Sequence, residues 1–250
     1  MHTNLYIILG IPKSGRREVI YDLIEGGLQE DETKLVYIEK GEDASTFDEQ
    51  IASLSNCKVL EWTFAESLQA PSPAPEADTV FFMTAGYIDP IDQIEQIRQW
   101  QKDHTLELAR VLTVIHCQHA HAQPELKEWF RACVHFSDCV LFNRREGIPD
   151  KWIREFSKYY QDQHFPCLFK NVKKSKVANP PEILHPEPRR VSQLFDDVDA
   201  IDALEIDEDD LPEETFELKP PTDPYLERYD SGQRKKKIPD ICSILARIAH

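Results

Sequence analysis

The residues best placed to do chemistry stand at the start of the chain. Gly10-Ile11-Pro12-Lys13-Ser14-Gly15-Arg16-Arg17 follows the apolar run Leu5-Tyr6-Ile7-Ile8-Leu9. It precedes Val19, Ile20, Leu23, Ile24 and Leu28, which recur at helical spacing. A buried strand, a tight loop and an amphipathic helix are expected. The two glycines fit the phosphate-cradling pattern G-x-x-x-x-G-K-[ST], with its last two positions changed. Such glycines let the backbone curl, so that its N–H groups and the helix N-terminus face an anion. Arg16 stands where the pattern's lysine reaches the β/γ-phosphates, and Arg17 where a hydroxyl would hold Mg²⁺. Two guanidiniums can neutralise phosphates bidentately without a metal. Gly10, Lys13, Ser14, Gly15, Arg16 and Arg17 are therefore the expected phosphate holders. The alternative is a plain strand-to-helix turn that binds nothing.

Two further clusters carry donors and acceptors. Asn143-Arg144-Arg145-Glu146 follows the apolar run Cys139-Val140-Leu141-Phe142. Asn143 could bond a base edge and Glu146 could accept two hydrogen bonds from guanine, with Arg144 beside them; a solvated loop after a strand is the competing reading. His116-Cys117-Gln118-His119-Ala120-His121 is the other cluster. If it is extended, Cys117, His119 and His121 share one face and could bind Zn²⁺ or Ni²⁺. The competing reading is a polar loop with chance histidines, and no metal is expected. No Ser-His-Asp or Cys-His spacing supports nucleophilic catalysis, so no catalytic residue is assigned.

These loops need a frame. Apolar runs at 35–38, 57–64, 79–83, 111–115, 139–142 and 165–169 read as strands. Helical spacing recurs after Pro90 (Ile91, Ile94, Ile97, Trp100), from Leu126 to Val134 and from Trp152 to Tyr160. Ala44 to Leu54 can form a short helix, and Gly26-Gly27 reads as the stop of the first one. Strands alternating with helices imply βαβ units and a mostly parallel sheet flanked by helices. The fold class is α/β and P-loop NTPase-like. Its ligand edge is the carboxyl end of the strands, reached by the loops after Leu9, Met83, Ile115 and Phe142.

Three of those strand ends resemble the CobW-type GTPases, relatives of the urease- and hydrogenase-maturation GTPases. They are Gly10 to Arg17, Met83-Thr84-Ala85-Gly86-Tyr87-Ile88-Asp89-Pro90 (similar to E-[ST]-[ST]-G-x-x-x-P), and Asn143 to Glu146 (similar to N-K-x-D). The resemblance covers roughly residues 4 to 170 and implies GTP or another nucleotide as ligand. The chain departs from the family in several places. Met83 replaces an acidic residue, His116 an aspartate, and of the family's C-x-C-C only Cys57 is left. Phosphoryl transfer relies on positioning and on Mg²⁺, so the expectation is a pseudo-GTPase. It binds nucleotide without efficient hydrolysis and acts through a protein partner. The alternatives are a slow, metallochaperone-like GTPase assisting metal insertion, and a nucleotide-free adaptor.

The net charge of −16 is uneven. Residues 196–230 hold fifteen acidic side chains against two basic ones, a net of −13. Acidity confined to a tail argues against nucleic-acid binding. Three regions are expected: a P-loop domain over 1–176, a proline-rich and acidic disordered linker over 177–233, and a basic then amphipathic helix over 234–250 able to dock a partner. Truncation after Lys176 should then hardly alter melting. Six cysteines without CxxC spacing, no signal-peptide pattern and no bilayer-length apolar run suggest a cytoplasmic protein that does not engage membranes.

Overall fold

The computed structural model describes residues 2–196 and 222–248. Most of the acidic run, with the disorder expected of it, lies outside the described residues. Within the first unit a nine-stranded sheet runs in the order β4-β3-β2-β5-β1-β6-β7-β8-β9. Its strands are β1 (Asn4–Leu9), β2 (Lys34–Glu39), β3 (Cys57–Phe64), β4 (Leu68–Gln69), β5 (Thr79–Met83), β6 (Glu107–His116), β7 (Cys139–Asn143), β8 (Leu168–Lys173) and β9 (Lys176–Val177). All pairings are parallel except β3 with β4 and β8 with β9. This is the P-loop NTPase-like α/β fold. β1 lies between β5 and β6, while the chain leaving β1 returns in β2 on the far side of β5. Such a reversal opens a crevice at the carboxyl ends of the strands.

The central strands are apolar because both faces are covered. Helix α1 (Arg16–Gly27) lies over Tyr6, Ile8, Phe81, Met83, Leu112 and Leu141. The remaining helices are α2 (Thr46–Ala52), α3 (Pro90–Asp103), α4 (Cys117–Ala122), α5 (Lys127–His135), α6 (Asp150–Gln161), α7 (Pro180–Leu184) and α8 (Cys242–Ile248). Two start where short-range chemistry dictates. Ser45 and Asp48 form a capping box on α2, and Asp89 caps α3 ahead of Pro90. Among the described residues no helix is long and apolar enough to cross a membrane.

α1 ends at Gly27, where the Gly26-Gly27 stop was expected, with both glycines as its last helical residues. Their missing side chains admit α7: a Cβ on Gly27 would fall 2.5 Å from Leu184 Cδ1, and one on Gly26 3.1 Å from Pro180 Cγ. The last strand expected at 165–169 forms at Leu168–Lys173 instead. A boundary after Lys176 would cut β9 in two, and the compact unit continues to Val191. Beyond the cut, Val177, Ile183 and Leu184 are buried, Tyr6 donates its hydroxyl to Leu184 O (2.5 Å), and Val177 N donates to Asp22 Oδ2 (2.6 Å).

The described residues of 238–248 belong to the same unit. The terminal helix is shorter than expected, because Pro239 disfavours helical backbone at Ile238 and Asp240 Oδ1 accepts from Cys242 N (2.9 Å). Ile241 and Ile244 are buried. The described residues of 192–237 form a second unit, in which Lys236 Nζ stands 3.6 Å above the Tyr225 ring and Arg228 bridges Arg234.

Candidate functional site

The loop between β1 and α1 is built by backbone conformations that side chains resist. Gly10 has φ 144° and Gly15 φ 90°, and Lys13 between them sits at φ 60°. A Cβ on Gly15 would strike the Asn143 amide. That amide fixes the loop, since Asn143 Nδ2 donates to Ser14 O (2.8 Å). Gly86, at the end of β5, packs as closely: a Cβ there would fall 2.6 Å from Pro12 N. Gln93 holds this second loop, accepting from Ala85 N (2.7 Å) and donating to Ala85 O (3.0 Å). The first and third strand-end motifs therefore meet at one edge, with the second beside them.

Between them lies a cavity of about 220 Å³, lined by Lys13, Arg16, Arg17 and Arg144 as its cations. Each of the four is paired with a carboxylate. Lys13 lies 3.9 Å from Asp43, Arg16 bonds Glu42 and Thr84 O, Arg17 Nε is 2.6 Å from Asp48 Oδ1, and Arg144 bonds Glu18. Glu42 is the best held. Its Oε1 accepts from Arg16 and from Gly86 N (2.8 Å), its Oε2 is 3.6 Å from Arg17, and its side chain is 3% exposed. A carboxylate bound by a guanidinium and a backbone N–H occupies the kind of position a phosphate oxygen would take. One hydroxyl is left over. Ser14 Oγ is buried and makes no hydrogen bond, and it lies in the turn ahead of α1, whose first N–H groups lack helical acceptors.

The other expected residues distribute as follows. Arg144, at φ 51°, points along the cavity to Glu18, whose Oε2 accepts from Ser175 Oγ (3.0 Å) in the β8–β9 turn. Glu146 is exposed, and its backbone carbonyl accepts from Gln118 Nε2 (2.9 Å). Met83 is fully buried and lines the cavity with apolar surface. Residues that fit a Mg²⁺ ion are not assembled here. Arg17 stands in place of the hydroxyl, Met83 in place of the acid, and Glu42 and Asp48 are engaged by guanidiniums. The cations that line the cavity, Lys13, Arg16, Arg17 and Arg144, are chemically suited to phosphate oxygens. Sequence reading missed Glu42, Gln93 and Ser175. The signal for Glu42 was its place, three residues after the end of another parallel strand, β2.

The extended arrangement of Cys117, His119 and His121 is not formed. His116 Nδ1 accepts from His119 N (3.3 Å) and caps α4, so the three residues wind around a helix instead of sharing a strand face. Cys117 is buried, and burial pushes its thiol up to about 12, away from the thiolate a metal needs. His121 turns to the Trp152 ring. Among the described residues no three His, Cys, Asp or Glu side chains are grouped to hold a metal ion.

The stacked pair His116 and His119, with centroids 3.6 Å apart, gives the site a pH dependence. Burial above all, then the nearby His119 and Arg144, pushes His116 down to about 3. Burial, then Lys13, lowers His119. Unfolded imidazoles take protons near pH 6.5, whereas folded His116 refuses one until about 3. The unfolded state thus binds more protons in that window, and stability falls as pH drops through it. Replacing His116 by Asn should flatten this limb of a plot of melting temperature against pH. An unchanged limb would place the acid sensitivity elsewhere.

No protein-family model matches the chain, and no curated protein does. Solved structures do. A zinc-bound triple mutant of YjiA GTPase superposes with a TM-score of 0.46 at 13% identity, over 76% of this chain and 67% of that one. Zinc-bound YjiA GTPase from E. coli superposes with a TM-score of 0.44 at 11% identity, over the same shares. At that level of similarity neither structure assigns a residue or an activity to this chain.

Proposed function

We propose that this is a degenerate P-loop protein that binds a guanine nucleotide, or another phosphate ligand, without efficient hydrolysis. The observation that carries the proposal is the buried Glu42 carboxylate, held by Arg16 and Gly86 N where the loop curls. The donors of an anion site are present and engaged by the chain's own anion. A phosphate entering the cavity displaces Glu42 and takes over Arg16 and the Gly86 N–H. The cavity of about 220 Å³ lies below the ~300–1,000 Å³ of typical ligand pockets. It suits the phosphates, leaving ribose and base towards Arg144, while the Asn143 amide stays on Ser14 O. The chemistry of hydrolysis is unsupported: Met83 cannot polarise water, and the carboxylates lining the cavity, Glu18, Glu42 and Asp43, each face a guanidinium or ammonium.

Action through a protein partner is part of the proposal. Its support is the sequence, in which an acidic run of net −13 joins the domain to a basic and apolar C-terminus. Residues 238–248 fold with the first unit, so a partner that takes α8 must first release it. The test of the nucleotide reading is to load the full-length protein with labelled GTP and recover the nucleotide after prolonged incubation. Bound and intact GTP is the expected result. Turnover that is lost in Arg16→Ala would instead make the protein a working GTPase.

A further inference from the structure

A second buried guanidinium lies at the other end of the sheet. Arg110 pairs in register with Tyr6 on β6, two residues ahead of Leu112, where β7 begins to pair. It is therefore at the amino-terminal edge, away from the P-loop. Its side chain is 1% exposed, and neither Nε nor Nη1 has a hydrogen-bond partner. Glu187 Oε2 approaches Nη2 only to 3.8 Å, beyond a hydrogen bond. Arginine cannot shed its proton to escape this, and an unsatisfied buried charge is costly.

The neighbouring charges are already matched. Lys170 pairs with Glu182 (2.7 Å) and Arg190 with Asp138 (3.2 Å). Arg189 grips Glu187 with both Nε (3.1 Å) and Nη2 (2.9 Å). One carboxylate, Glu187, thus serves two guanidiniums and satisfies only the outer one. Arg110, Glu182, His185, Glu187 and Arg189 line a cavity of about 390 Å³, so the buried guanidinium with unsatisfied donors is part of a cavity wall.

We propose that this cavity is a second anion site, which takes a small tetrahedral dianion such as inorganic phosphate or the phosphate of a small phosphomonoester. The ligand displaces Glu187, whose departure opens the buried Arg110 donors to it and frees Arg189 to close the other side as a second fork. The site is independent of the nucleotide reading, because Arg110 is remote from the P-loop.

The experiment is a titration of the ¹⁵N-labelled full-length protein with inorganic phosphate, following the guanidinium Nε–H signal that Arg110→Met removes. The expected result is a saturable shift of that signal, with a midpoint lowered about threefold in Glu187→Gln. A signal that does not move, or that drifts without saturating, would overturn the proposal; so would acetate saturating at the same midpoint, which would exclude the preference for a tetrahedral dianion. In phosphate-free buffer, Arg110→Met is expected to melt no lower than the wild type, since an apolar side chain replaces an unsatisfied charge. A clear drop in melting temperature would show Arg110 to be a structural ion-pair residue and would overturn the site.

Discussion

Truncation after Lys176 should abolish stable folding, or lower the melting temperature by roughly 10–20 °C. The cut removes Val177, Ile183 and Leu184, all buried, each contributing about 2 kcal/mol by burial. It also removes the acceptor of the Tyr6 hydroxyl and the Val177 N–H that Asp22 holds. A loss near 6 kcal/mol is a large part of the 5–15 kcal/mol that stabilises an ordinary domain. Truncation after Val191 spares all of this, although it removes the buried Ile241 and Ile244 of the C-terminal segment, and should melt well above the shorter product. Circular dichroism melts of both products check the expectation. Equal melting of the two would mean that α7 and β9 contribute little.

Replacing Glu42 by Gln should act in opposite directions on stability and on phosphate affinity. The substitution keeps the shape and removes the charge opposing Arg16, a guanidinium 2% exposed. Breaking a buried pair on one side costs about 3–5 kcal/mol, so the free protein should melt lower. The same change removes the internal competitor for Arg16 and Gly86 N, so phosphate or nucleotide should bind about tenfold tighter or more. Saturating ligand should then restore much of the lost stability by mass action. A variant that melts lower and gains no affinity would reduce Glu42 to a structural anion. Thermal melts with and without GTP separate the outcomes.

The P-loop and its strand were legible because both signals are local: an apolar run, then glycines where the backbone must take positive φ. The parallel order of the strands followed from their alternation with helices. What was not legible depends on contacts distant in sequence. Glu42 meets Arg16 only because β2 and β1 deliver their loops to one edge, and neither neighbourhood contains that information alone. Composition after Lys176 reads as linker, with prolines and charge. Yet Ile183 and Leu184 are buried because Gly26 and Gly27 leave room for Pro180 and Leu184. The two glycines were legible as the end of α1, but not as the floor on which α7 packs. His116 shows the converse. Its run was read with the two-residue period of a strand, whereas a side-chain cap three residues long starts a helix there.

The most direct test of the central claim is a calorimetric titration of the full-length protein with GTP, once in Mg²⁺ and once in EDTA. With Arg17 in place of the metal-holding hydroxyl, Met83 in place of the acid, and phosphates held by arginines and loop N–H groups, the account predicts saturable binding of equal affinity in both buffers. A tenfold loss in EDTA, about 1.4 kcal/mol, would contradict the metal-independent site. The absence of saturable binding in either buffer would contradict the nucleotide site itself.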